Sequence, residues 1–151
     1  MLVPLLSRID HVGIACRDLD AAIGRYEATF GLRMVSLEVN EEQGVREAML
    51  QVGGTGPGTS EGWRPGYVQL LEPLGPDTPV GRFLARRGEG LHHVGYGVDD
   101  ISQALATLSV GGVRLLDERP RHGSMGASIA FLHPADLGGV LTELVQVAGP
   151  A

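Results

Sequence analysis

Asp10-His11-Val12-Gly13-Ile14-Ala15-Cys16 and His92-His93-Val94-Gly95-Tyr96-Gly97-Val98 are two versions of one short strand. Each runs into an acidic helix start, Asp18-Leu19-Asp20 after the first and Asp99-Asp100-Ile101 after the second. His11 and His93 stand 82 residues apart (93 − 11), so the repeat predicts two similar halves, each offering one histidine at the same structural position. Alternate side chains of an extended strand share a face. Val12, Ile14 and Cys16 therefore fall on one side, matched by Val94, Tyr96 and Val98. His11, Gly13 and Ala15 fall on the other, matched by His93, Gly95 and Gly97. The first face can pack on a helix. The second sets a histidine above very small residues, which leaves room for something that is not protein.

Working outward, Leu19, Ala22, Ile23, Tyr26 and Phe30 recur at helical spacing, with Asp18 as N-cap and Gly31 past the end. Ile101, Ala104, Leu105 and Leu108 repeat the pattern, capped by Asp99 or Asp100 and stopped by Gly111-Gly112. Three further strands fit each half: Arg33–Val39, Val45–Val52 and Gly66–Glu72 in the first, and Val113–Asp117, Ser128–Leu132 and Val140–Val147 in the second. Each half thus reads βαβββ. The expected fold is α+β, a single domain over 1–151 with pseudo-symmetric modules at about 9–73 and 91–147 and a linker at about 74–90. The linker holds a short helix, capped by Asp77 or Thr78, with Pro79 at its first position and Val80, Phe83 and Leu84 as its apolar stripe. Gly53 to Gly66 reads as a flexible hairpin loop whose Trp63 packs on its own hairpin or covers a site.

Composition narrows the function classes. A chain of 151 residues with 43% apolar content can bury a core. A net charge of −6 draws neither phosphate backbone nor anionic lipid, so nucleic-acid and membrane roles are not expected. The single cysteine, Cys16, on the apolar face, reads as inert core and fits a reducing compartment. Met1 to Ile9, interrupted by Pro4 and Arg8, is too short for a secretory signal, and no apolar run reaches membrane-spanning length. The expectation is a cytoplasmic protein.

If the halves correspond, so do their last strands. Gln69 in Tyr67-Val68-Gln69-Leu70-Leu71-Glu72 then lines up with Glu143 in Leu141-Thr142-Glu143-Leu144-Val145-Gln146, at an offset of 74 (143 − 69) that a difference in loop length explains. His11, Gln69, His93 and Glu143 would make a mixed N/O set suited to a divalent first-row metal with open positions. By pattern alone, histidines satisfied within the core fit equally well.

These motifs resemble the vicinal oxygen chelate superfamily, built from paired βαβββ modules, and within it the methylmalonyl-CoA epimerase family. The likeness runs from about Ile9 to Gln146. It is carried by the two histidine strands, by Asn40-Glu41-Glu42-Gln43-Gly44-Val45-Arg46-Glu47, by Leu70-Leu71-Glu72-Pro73-Leu74, by Gly88-Glu89-Gly90-Leu91-His92-His93, and by Phe131-Leu132-His133-Pro134 with Gly139-Val140-Leu141-Thr142-Glu143-Leu144. The resemblance implies a glyoxalase-like fold, a curved, half-closed mixed sheet around one metal site. It implies metal ligands at His11, Gln69, His93 and Glu143 and catalytic carboxylates at Glu47 and Glu143. It further implies one divalent ion per chain, cobalt first, with manganese, nickel, zinc or iron as alternatives, and a homodimer. The reaction implied is interconversion of (2R)- and (2S)-methylmalonyl-CoA. Its α-proton lies between a thioester and a carboxylate, so charge neutralisation and two acid–base groups on opposite faces are required. The glycine-rich stretch Gly53 to Gly66 is longer than the family pattern.

Three rival classes share the fold. A glyoxalase-type lyase uses the same proton-transfer logic, but the segment leading to Glu47 argues against it. An extradiol-type dioxygenase needs open positions for oxygen, which Gln69 as fourth ligand makes less natural. A metal-free binding module would not need all four ligands. Gln69 could instead orient a water, and Glu47 could be a solvated strand carboxylate. His92 has the opposite strand parity and reads as packing or supporting; His122 reads as exposed or substrate-contacting; His133, before Pro134, reads as structural. Glu72, Glu89 and Glu118 read as surface or linker charges, and Arg82, Arg86 and Arg87 as a solvated helix end or a contact for CoA phosphates.

Overall fold

The structure is a computed structural model and describes residues 4–54 and 64–149; most of the expected loop, with Trp63, lies outside the described residues. In chain order the elements are β1 (Arg8–Ala15), α1 (Leu19–Phe30), β2 (Arg33–Asn40), β3 (Val45–Val52), β4 (Gly66–Pro73), α2 (Pro79–Arg87), β5 (Gly90–Gly97), α3 (Ile101–Val110), β6 (Arg121–His122), β7 (Ser128–Leu132) and β8 (Thr142–Gln146). Polar caps start every α-helix. Asp18 accepts from Ala21 N (3.1 Å) at α1, Thr78 from Gly81 N (3.1 Å) at α2, and Asp100 from Gln103 N (3.0 Å) at α3. Gly31 closes α1 in the left-handed region at φ 68°. Gly81 has a different reason to be glycine, since a Cβ there would lie 2.3 Å from the Gly75 carbonyl oxygen.

The chain divides into two compact units, one from His11 to His92 and one made of the residues up to Asp10 with those from His93 onward. Both boundaries run through the histidine strands. In the His11–His92 unit the strand order is β2-β3-β4-β1, with β1 parallel to β4 and the others antiparallel. In the other unit the order is β5-β8-β7-β6, with β5 parallel to β8 and the rest antiparallel. Parallel neighbours need a crossover, and α1 and α3 supply it. The result is an α+β fold of the glyoxalase type.

The cores show how closely the units repeat. Where α1 meets the sheet, Cys16, Leu19, Ala22, Ile23, Ala48, Leu50 and Leu70 form one core cluster. Where α3 meets the sheet, Val98, Ile101, Ala104, Leu105, Ala130, Leu132 and Leu144 form another. The first six pairs, Cys16/Val98 through Leu50/Leu132, are each 82 residues apart, and Leu70/Leu144 are 74 apart. The loss of eight falls between the third and fourth strands, where the first unit has the longer connecting sequence. The opposite sheet faces differ. In the first unit α2 covers part of that face through Val80 and Leu84 on Ala15, Val45 and Leu71. In the second, Ala127, Ile129 and Val145 cluster there with Phe131.

A matched pair of side chains ties each last strand to the first helical turn. Leu19 N donates to Glu72 Oε2 (2.7 Å), and Ile101 N donates to Gln146 Oε1 (3.0 Å). Both acceptors satisfy amides that a helix start leaves without an intrahelical partner. Glu72 is thus not the free surface or linker charge expected of it. Glu89 is exposed, yet its Oε2 accepts Arg17 N (2.9 Å), just before α1. Glu118 is exposed as expected.

One expected strand is absent. Val113–Asp117 lies beside β7 but forms only an isolated bridge, Leu115 to Leu132. Asp117 Oδ2 takes Phe131 N (2.9 Å), an amide that a regular ladder would give to a carbonyl, while Leu116 N and Asp117 N both donate to Phe131 O (2.9 and 3.2 Å). Arg114 is drawn outward to Asp136 through its backbone N (2.9 Å), Nε (3.0 Å) and Nη2 (3.2 Å). The second strand of this half is the short β6, paired Arg121 to Ile129 and His122 to Ser128. No helix among the described residues is long and apolar enough to cross a membrane.

Two outcomes follow for stability. Glu72→Ala is expected to lower unfolding free energy by about 1–2 kcal/mol in urea titration, and Glu72→Gln by much less, because Gln146 already does this work with an amide. Hydrogen bonding from Arg114 holds the Asp136 carboxyl down at about 2, from an ordinary value of 3.8. A depressed carboxylate contributes stability above its unfolded value and loses it as pH falls through the folded one. Asp136→Asn should therefore lower the thermal midpoint slightly at pH 7 and flatten its decline between about pH 4 and pH 2.

Candidate metal centre and active site

In the His11–His92 unit, strand register sorts the candidate residues onto one face. Gly13 pairs with Gln69 and Gln69 with Met49; Ala15 pairs with Leu71 and Leu71 with Glu47. His11, two residues before Gly13, shares that face. His11, Gln69 and Glu47 are buried, at 4%, 5% and 3% exposure. Gln69 Nε2 donates to Glu47 Oε2 at 3.0 Å, which fixes the amide's orientation and directs its oxygen away from Glu47. Glu38 stands directly across from Glu47 on β2 and accepts from the Ser36 hydroxyl (3.1 Å). Sequence reasoning passed over Glu38, because from Ser36 to Asn40 on β2 the polar residues are the half-buried ones and the apolar Leu37 and Val39 are exposed. A carboxylate buried beside Val45, Met49 and Leu71 opposes folding unless hydrogen bonded. Such groups concentrate where chemistry is done.

The other unit repeats the frame with different chemistry. Glu143 pairs with Gly95 as Gln69 pairs with Gly13, and on its other side with Phe131. His93 Nε2 lies 3.6 Å from Glu143 Oε2, and both residues are buried. Phe131 meets the His93 ring edge-on, centroids 5.3 Å apart at 81°, and so restrains the imidazole plane. Ile129 pairs with Val145 where Glu47 pairs with Leu71. This half therefore has no second Glu47. Among the described residues of β5, β7 and β8, its one inward carboxylate is Glu143.

His11 in one unit, and His93 with Glu143 in the other, are buried side chains that each offer a donor atom a metal ion could take. Two imidazoles and a carboxylate are a donor set that divalent first-row metals accept. The remaining histidines do other work. His92 packs edge-on against Phe83, centroids 4.9 Å apart, and burial pushes its pKa down to about 4, so it is neutral near pH 7. His133 Nδ1 accepts Ala135 N (3.1 Å) and caps a turn, and His122 is exposed on β6. Cys16 is buried with its Sγ 3.5 Å from Leu71 O; burial, with nearby Glu72, pushes the thiol up to about 11 and leaves it inert.

Residues 10–131 match the model of the Glyoxalase/Bleomycin resistance protein/Dioxygenase superfamily. A solved methylmalonyl-CoA epimerase in complex with methylmalonyl-CoA and ammonium is 52% identical, with a TM-score of 0.87 over 95% of this chain and 96% of that one. A Streptomyces coelicolor methylmalonyl-CoA epimerase variant in complex with 2-nitronate-propionyl-CoA is 51% identical, TM-score 0.88, over 95% and 99%. The ethylmalonyl-CoA/methylmalonyl-CoA epimerase of Cereibacter sphaeroides is 35% identical over 145 residues, 95% of this chain and 100% of that protein. The chain belongs to the methylmalonyl-CoA epimerase family of that superfamily. The fold and family expected from the sequence both hold.

The buried carboxylate leads to a stability test. Glu47→Gln keeps an acceptor for the Gln69 amide and removes a buried charge. Metal-free protein carrying it is expected to be more stable than wild type by about 1 kcal/mol at pH 7, read by urea unfolding. A loss of stability would mean that Glu47 serves the fold.

Proposed function

We propose that this chain is a metal-dependent epimerase that interconverts (2R)- and (2S)-methylmalonyl-CoA. The observation that carries the reading is the buried Glu47, held by the Gln69 amide on the face that also bears His11. Kinship with epimerases solved with methylmalonyl-CoA and an acyl-CoA analogue supports the same reaction. The (2R) to (2S) conversion requires removing the C2 proton from one face and returning one to the other. Glu47 is the carboxylate for one face, with the Gln69 N–H holding its Oε2 in place. Glu143 is assigned to the other face, with His93 beside it. A divalent cation held by His11, Gln69, His93 and Glu143 would supply Lewis-acid neutralisation of the charge that develops on the substrate oxygens. Both carboxylates are buried, which limits the access of water to them.

The finer assignments belong to the same proposal. Cobalt is the preferred ion, ahead of manganese, nickel, zinc and iron. The chain works as a cytoplasmic homodimer, a single domain with modules at about 9–73 and 91–147 joined at about 74–90. Ethylmalonyl-CoA is a further substrate, on the analogy of the Cereibacter sphaeroides relative.

Exchange of the α-proton of methylmalonyl-CoA in deuterated water tests the reading. Cobalt-loaded wild type should exchange it with loss of chirality, chelator-treated protein should not, and Glu47→Ala should be about 10²–10⁴-fold slower. No exchange by the cobalt-loaded wild type would overturn the epimerase. Full activity of Glu47→Ala would remove Glu47 from the chemistry.

A further inference from the structure

Helix α2 concentrates positive charge in a chain whose net charge is −6. Arg82, Arg86 and Arg87 are three of its 12 basic residues, and no acidic residue occurs between Asp77 and Glu89. Of the acids at the helix ends, the Glu89 carboxylate accepts Arg17 N, while the Asp77 backbone carbonyl accepts one Arg82 N–H and so orients that guanidinium, leaving its other N–H groups to a ligand. Val80 and Leu84 turn inward onto Ala15, Val45 and Leu71. Leu71 pairs with Glu47, so α2 lies on the sheet face that bears Glu47, one strand away from it. Arg82 and Arg86, four residues apart, line the exposed side of the helix. Arg87 extends over the Phe83 ring, 6.0 Å from its centroid, which holds the end of the helix in place.

We propose that Arg82 and Arg86 bind the phosphate groups of the CoA moiety and set the enzyme's preference for CoA esters over shorter thioesters. This rests on the acyl-CoA reading above. In this unit α2 packs on the sheet face that bears Glu47, and the pantetheine arm of a thioester held at Glu47 is long enough to reach past it. Guanidinium groups match phosphate with paired, charge-assisted hydrogen bonds, which suits arginine here better than lysine. Arg86 and Arg87 in the last turn also favour the helix dipole, but Arg82 lies too early in α2 for that role.

The test does not depend on turnover. Calorimetry with free coenzyme A and with pantetheine is made on the wild type and on an Arg82→Ala/Arg86→Ala double variant. The wild type should bind coenzyme A more tightly than pantetheine, by a margin that shrinks as salt rises. The double variant should lose about tenfold in affinity for coenzyme A and none for pantetheine. Unchanged affinity for coenzyme A, or an equal loss for both ligands, would overturn the proposal. A lowered thermal midpoint with coenzyme A affinity intact would assign the arginines to helix stability and also overturn it. Should wild type fail to exchange the α-proton of methylmalonyl-CoA yet bind coenzyme A through these arginines, the epimerase reading fails and the phosphate site stands.

Discussion

The parallel pairing of first strand with last strand in each unit is the constraint on which the rest depends. It sets Gly13 beside Gln69 and Gly95 beside Glu143. Two parallel neighbours cannot be joined by a tight turn, so a helix must cross between strands and cover one face of the sheet. That face then becomes the apolar core, and the other is left for chemistry. Glu72 and Gln146 tighten the arrangement by reaching from the last strand to the first amide of the crossover helix. Each lies three residues beyond its unit's inward polar side chain, Gln69 or Glu143. A shift of the last strand by one residue would remove the cap and turn the inward residue into the core. Fold and candidate site are thus fixed by one register.

Conservation of the frame contrasts with divergence on the inward face. Under the crossover helices, apolar residue stands for apolar residue at every paired position. Opposite them, the halves agree on the histidine, its small neighbours and the apolar pairs Val45/Ala127 and Leu71/Val145, and differ elsewhere. Glu47 answers to Ile129, Gln69 to Glu143, and Met49 to Phe131. A core tolerates changes that keep volume and polarity, so its pattern persists in both halves. The inward faces are packed differently in the two halves, by α2 in the first and by Ala127, Ile129, Val145 and Phe131 in the second, so their side chains are not held to one shared pattern.

This contrast explains what was legible in the sequence. Strand alternation, helix caps and the two spacings are periodic signals, and they located both histidine strands, both crossover helices and the equivalence of Gln69 with Glu143. Two features were hidden because side chains replaced backbone partners. Val113–Asp117 has the apolar content of a strand, yet the Asp117 carboxylate took the Phe131 amide and Arg114 turned outward to Asp136. Glu72 looked like a solvated charge, since nothing local marks a carboxylate that bonds a backbone amide 53 residues away. Only comparison with Gln146 would have exposed it. Glu38 was missed for a simpler reason: β2 is the edge strand of its ladder, and its alternation mixes exposed apolar residues with half-buried polar ones.

The inward differences between the halves are also coupled. A carboxylate at position 69 would face Glu47 across the distance of the present 3.0 Å hydrogen bond. Two carboxylates that close cannot both stay ionised, and one would be held protonated. An amide avoids the conflict: its N–H₂ donates to Glu47, and its oxygen remains an uncharged acceptor. Where Ile129 replaces Glu47 there is no second charge to repel, and Glu143 can carry the full negative charge beside His93. Gln69 with Glu47 and Glu143 with Ile129 are therefore compensating pairs. Among the described residues, each half keeps one fully buried inward carboxylate, Glu47 or Glu143, at a different place on the same frame. A reaction that removes a proton from one face of a carbon and returns it to the other has use for two such places rather than two copies of one.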